Sequence, residues 1–62
     1  MDRIVILGAA ESGVGAAVLA KQKGLDVFVS DMGTIKDKYK QMLNERHIPW
    51  EERHHTEDLI VN

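Results

Sequence analysis

The chain has 62 residues, no cysteine and a formal net charge of -2, from 8 Lys and Arg against 10 Asp and Glu. That length holds one small domain with a limited core, and the lack of cysteine excludes disulfide frameworks, thiolate metal sites and thiol nucleophiles while fitting a cytoplasmic setting. The charge balance offers no electrostatic footprint for nucleic acid, and the longest apolar runs are too short for a membrane span or a signal peptide.

Arg3-Ile4-Val5-Ile6-Leu7 is a β-branched run without polar alternation, which predicts a parallel-sheet strand buried on both faces and ending at Gly8. From Gly13 to Lys23 the chain carries helix formers, apolar in the first two turns, and closes with Lys21, Lys23 and Gly24, residue types that suit a helix C-terminus. Asp26-Val27-Phe28-Val29-Ser30 reads as a second strand. Thr34-Ile35-Lys36-Asp37 has the spacing of a capping box, and Ile35, Tyr39, Met42 and Leu43 then fall on one stripe of a helix reaching about Arg46. Ile48-Pro49-Trp50-Glu51 is a shorter strand candidate, with Pro49 near its start because it has no N–H for a ladder. Thr56-Glu57-Asp58 before Leu59-Ile60-Val61 predicts the start of a further helix. The order β-α-β-α-β plus that helix start describes an α/β, Rossmann-like, three-layer fragment with a parallel sheet and right-handed crossovers. In a strand order 3-2-1-4, the first strand lacks its outer neighbour within residues 1–62, so an apolar edge from Arg3 to Leu7 is expected to promote self-association.

Gly8-Ala9-Ala10-Glu11-Ser12-Gly13, between the first strand and the first helix, reads G-x-A-x-x-G, a dinucleotide-type fingerprint with alanine at the second glycine. Gly8 permits the tight turn, the small Ala10 lets backbone approach a diphosphate, and Gly13 lets helix and strand pack closely. The amides of Ser12, Gly13 and Val14, together with the helix dipole, then make a phosphate site. It is not a Walker A loop, because Val14-Gly15 stand where Lys-Ser or Lys-Thr is required. Glu11 reads as a side chain turned to solvent. Asp31 follows the second strand, where such folds place a carboxylate that accepts a hydrogen bond from the nucleoside, and Gly8, Gly13 and Asp31 are expected to converge on one crevice. The same loop would serve an NAD(P)-binding module, with Asp31 on the adenosine ribose, or a purely structural turn. His54 and His55 are adjacent and splay apart, which disfavours a metal site, and Tyr39 and Trp50 read as core residues rather than base-stacking platforms.

The run from Ile4 to Gly15 together with Val27-Phe28-Val29-Ser30-Asp31 resembles the start of a Mur ligase of bacterial peptidoglycan synthesis, nearest the D-glutamate-adding type. The likeness covers essentially all 62 residues, and the stretch from Glu52 to Val61 is similar to that family's approach to a fourth strand. The resemblance implies an N-terminal UDP-binding domain, residues 1–62, in which the positions of Gly8, Ala10, Glu11, Ser12 and Gly13 hold the diphosphate of a UDP-sugar substrate, with the backbone N–H groups of Glu11 and Ser12 contributing. It implies a uracil contact at Asp31, which in the family is usually followed by a hydroxyl and a basic residue; here Met32 and Gly33 stand there. It also implies a reaction dependent on ATP and Mg2+, in which the substrate carboxylate becomes an acyl phosphate and is attacked by the amine of D-glutamate. The P-loop, magnesium ligands and amino-acid site then belong to central and C-terminal domains outside these residues. The chain is accordingly expected to be a cytoplasmic substrate-anchoring piece, not catalytic by itself and with no cofactor of its own.

Overall fold

The computed structural model describes residues 3–54. Three parallel strands, β1 (Arg3–Leu7), β2 (Asp26–Asp31) and β3 (Trp50–Glu52), alternate with α1 (Glu11–Gln22) and α2 (Asp37–Glu45), which is the expected α/β, Rossmann-like fragment. β2 is central, pairing Arg3↔Asp26 through Leu7↔Ser30 on one side and Val29↔Trp50 through Asp31↔Glu52 on the other. The helix start anticipated at Thr56 lies outside the described residues.

Residues paired across a ladder share a face, so Ile6, Val29 and Trp50 point the same way, and this face carries both helices. Its core joins Val14 and Ala17 of α1, Val27 and Val29 of β2, Leu43 of α2, and Ala9, Ile35 and Ile48 from the connections. Trp50 is anchored at its rim by its indole N–H, which donates to Asn44 Oδ1 at 2.9 Å. The opposite face bears Val5, Leu7 and Phe28, with the Arg3 guanidinium 5.1 Å from the Phe28 ring centroid. Here the expectation of a doubly buried first strand fails among the described residues. Ile4, Val5 and Ile6 are half-buried and Leu7 is 59% exposed, because both helices cover the same side of the sheet.

Both helices end in the same hydrogen-bonded motif. After α1, Gly24 N–H donates to Lys21 O at 2.9 Å and Leu25 N–H to Ala20 O at 3.2 Å, with Gly24 at φ 81°. After α2, His47 N–H donates to Asn44 O at 3.1 Å and Ile48 N–H to Leu43 O at 2.9 Å, with His47 at φ 58°. These are Schellman closures, and the buried pair Leu43 and Ile48 supplies the apolar contact that accompanies them. The second helix thus puts a β-carbon where the first has glycine.

The start of α2 differs from the capping box read in the sequence. Lys36, not Thr34, is the residue before the first helical turn, and no side chain caps it. The reason is a bond from farther along the chain. Ile35 is buried and its N–H donates to Glu52 Oε1 at 2.9 Å, so the segment before α2 is tied to β3 instead of folding back on itself. Glu52 Oε2 meets Lys40 Nζ at 3.0 Å and Arg53 Nη2 at 3.3 Å. The Ile35 amide first, then Lys40, hold the Glu52 carboxyl below the ordinary glutamate range.

Two outcomes follow from these contacts. His47→Gly is expected to raise stability by about 1 kcal/mol in urea unfolding, because glycine adopts the left-handed conformation without the steric cost of a side chain. Since the Glu52 pKa is lowered in the folded state, its stabilisation is complete above the ordinary glutamate range and fades as pH falls through the lowered value. The stability difference between the parent chain and Glu52→Gln, measured by urea unfolding from neutral pH to strong acid, should therefore close on acidification.

Candidate functional site

The turn from β1 to α1 is built by glycines with separate tasks. Gly8 has φ 106°, a conformation side chains disfavour, and its N–H donates to Ser30 O at 2.7 Å, which continues the ladder to β2. A β-carbon on Gly13 would overlap the Gly8 carbonyl oxygen and come within 3.5 Å of Ile6 Cγ2. By contrast, a β-carbon on Gly15 would meet nothing within 4 Å.

Helix α1 begins two residues earlier than the sequence suggested, at Glu11, with Ala10 in extended conformation before it and no side-chain cap. Val14 N–H already donates to Ala10 O at 2.9 Å. The expected anion-binding set of Ser12, Gly13 and Val14 is therefore corrected by one position: the first-turn amides without an intrahelical acceptor are those of Glu11, Ser12 and Gly13. These amides and the positive end of the helix dipole favour a negatively charged group at this terminus. Glu11 and Ser12 are exposed.

Asp31, the last residue of β2, closes the loop from the other side. Its Oδ2 accepts Ala9 N–H at 2.7 Å and its Oδ1 accepts Gly33 N–H at 2.7 Å. Each carboxylate oxygen thus holds one backbone amide, one on the glycine loop and one on the connection to α2. Beside it lies a pocket of about 150 Å³ lined by Ala9, Ala10, Asp31, Thr34, Lys36 and Tyr39.

The structure brings Gly8, Ala10, Gly13 and Asp31 to one end of the sheet, and Gly8 and Gly13 have there the turn and close-packing tasks read from the sequence. Ala10 and Asp31 line the pocket, whereas Gly8 and Gly13 shape the loop behind it. Met32 is 65% exposed, and Gly33 takes part through its amide on Asp31. Thr34, Lys36 and Tyr39 are the residues that sequence reasoning missed as site components. Tyr39, a core residue by its place on the α2 stripe, packs against the core and also forms pocket wall. Thr34 and Lys36 supply a hydroxyl and a cation three and five positions after Asp31, not at positions 32 and 33 where the resemblance places them.

A second polar group lies across the sheet from this pocket. Buried Ser30 Oγ donates to Glu51 Oε2 at 2.6 Å, and Glu51 Oε1 lies 3.0 Å from Nε2 of the exposed His54. Among the described residues no group of three His, Cys, Asp or Glu side chains is placed to hold a metal ion. No helix among them is long and apolar enough to cross a membrane.

The contrast between the two helical glycines is directly testable. Gly13→Ala is expected to destabilise the chain by about 1–3 kcal/mol through overlap with the Gly8 carbonyl, while Gly15→Ala should stabilise it by about 0.5–1 kcal/mol through helix propensity. Urea midpoints of the two variants would check both signs.

Comparison with known proteins places this geometry in context. The family model described as MurD N-terminal domain matches residues 3–61. A UDP-N-acetylmuramoylalanine--D-glutamate ligase of Bacteroides thetaiotaomicron is 71% identical over 62 residues, which is 100% of this chain and 14% of that protein. Proteins of the same name from Porphyromonas gingivalis and Cytophaga hutchinsonii are 62% and 47% identical, each over 98% of this chain and 14% of their own length. The chain thus spans 14% of the length of these relatives. No solved structure matches.

Proposed function

The chain belongs to the MurD N-terminal domain family, and from that premise we propose that it binds the UDP part of UDP-N-acetylmuramoyl-L-alanine, as the substrate-anchoring domain of an ATP-dependent, D-glutamate-adding ligase of peptidoglycan synthesis. The observation that carries this reading is the uncapped first turn of α1, Glu11, Ser12 and Gly13, which directly follows Ala10 in the wall of a pocket at the carboxyl end of a parallel sheet. The diphosphate takes the helix terminus. The nucleoside takes the pocket, where Thr34 offers a hydroxyl, Lys36 a cation, Tyr39 an aromatic wall and Asp31 the remaining lone pairs of its carboxylate.

Within this proposal the chain binds and orients, and no chemical step is assigned to its own residues. ATP and Mg2+ belong to the parts of such a ligase outside these residues, since Val14-Gly15 replace the Lys-Ser or Lys-Thr of a phosphate-binding P-loop. There the ATP would activate the carboxylate of a substrate held here by its nucleotide end, in a cytoplasmic enzyme. An NAD(P)-binding role is the competing use of a glycine loop, and the family membership weighs against it.

Titration of the 15N-labelled chain with UDP and with NAD, followed by amide shifts, tests the assignment. UDP is expected to bind with an affinity on the order of millimolar and to move Glu11, Ser12, Gly13, Thr34 and Lys36. Larger shifts of these amides with NAD would overturn it. Glu11→Gln should tighten UDP binding by about fivefold at low salt, as a charge near the diphosphate is removed, and the gain should shrink as salt is added.

A further inference from the structure

We propose that Glu52 is a positioning residue for the pocket: from the neighbouring strand β3 it fixes the connection between β2 and α2 so that Thr34 and Lys36 stand in the pocket wall. This rests on the reading of the pocket as a uridine nucleotide site. Glu52 itself does not line the pocket. Its action is through backbone. Thr34 sits between two held amides, with Gly33 N–H on Asp31 Oδ1 at 2.7 Å and Ile35 N–H on Glu52 Oε1 at 2.9 Å. The same connection is gripped a third time by Arg53 N–H, which donates to Gly33 O at 2.9 Å. Three bonds thus hold the two neighbours of Thr34, two on Gly33 and one on Ile35, and Thr34 has little freedom to turn away.

The register explains why Glu52 reaches this place. Asp31 and Glu52 are partners across the β2–β3 ladder, so their side chains leave the same face at the same level. Asp31 turns toward the glycine loop and Gly33; Glu52 turns toward Ile35 and α2. The charged groups around Glu52 are Lys40 of α2, Arg53 beside it in the chain, and Asp31 across the held segment. Lys40 is itself placed, with its ammonium 5.3 Å from the Trp50 ring centroid. The Glu52 side chain is only 14% exposed, so its bond to Ile35 is shielded from competing water. Burial of the Ile35 side chain is the rival explanation for the order of this segment, and it requires no acceptor on residue 52.

Glu52→Gln keeps an acceptor oxygen for the Ile35 amide, whereas Glu52→Met keeps the length and removes the acceptor. The methionine variant is expected to bind UDP about tenfold more weakly, the scale of one net hydrogen bond, with Thr34 and Lys36 amides displaced and those of Ile4 to Leu7 unmoved. The glutamine variant should recover most of the affinity. Independently of any ligand, the Ile35 amide of the parent chain should shift on acid titration with a midpoint below the usual glutamate range, and this shift should vanish in Glu52→Gln. Should the methionine variant unfold, the glutamine variant and the Ile35 titration decide alone. A methionine variant that binds UDP like the parent, or an Ile35 amide indifferent to Glu52, overturns the positioning role while leaving the nucleotide reading intact. Absence of any UDP response in the parent chain overturns the nucleotide reading, and the proposal with it.

Discussion

Helix α1 can follow β1 so closely only because nothing projects from Gly13 toward the carbonyl of Gly8. That single approach sets the rest. It lays α1 flat enough for Val14 and Ala17 to be buried against Val27 and Val29, and it leaves the first-turn amides of the helix at the carboxyl end of the sheet. Gly8 contributes the complementary half, a positive φ that lets its N–H extend the ladder to Ser30 while the chain reverses. A phosphate-type terminus and a small hydrophobic core are thus products of one steric condition.

The two carboxylates at the strand ends serve the backbone before they serve any ligand. Asp31 holds Ala9 and Gly33, and Glu52 holds Ile35. A chain this small has few residues to bury, and irregular segments expose amides that a helix or sheet would satisfy internally. A charged acceptor on a strand end makes stronger bonds to those amides than a neutral one would. The loops around the pocket thus combine charge-assisted contacts from the sheet with the burial of one small or branched side chain each, Ala9 and Ile35.

The parts of the fold that were legible in the sequence are those whose cause is local. The β-branched runs at Arg3–Leu7 and Asp26–Ser30, the apolar stripe of α2, and the glycine after α1 each state their structure within a few residues. The failures have distant causes. Thr34 and Asp37 satisfy the pattern of a capping box, but an acceptor 17 residues beyond Ile35 takes the amide that matters. The partial exposure of Val5 and Leu7 depends on which side both crossovers choose, which no window of sequence encodes. In the candidate site, the glycine loop and Asp31 could be read from spacing alone. Lys36 and Tyr39 could not, because a solvent-facing lysine and a core tyrosine look the same in sequence whether or not a pocket opens between them.

The shortness of β3 bears on how the pocket is populated. Three residues pair with β2, yet they carry the acceptor that orders the far wall of the pocket. A strand so briefly paired is expected to detach at a lower free energy than the β1–α1–β2 unit unfolds, taking residues 32–36 with it as one cooperative piece. Chain molecules with that piece released lack the Thr34 and Lys36 wall of the pocket. The apparent dissociation constant for any ligand is then its intrinsic value divided by the fraction of molecules in the closed form, so contacts that hold β3 in place raise affinity without touching what is bound.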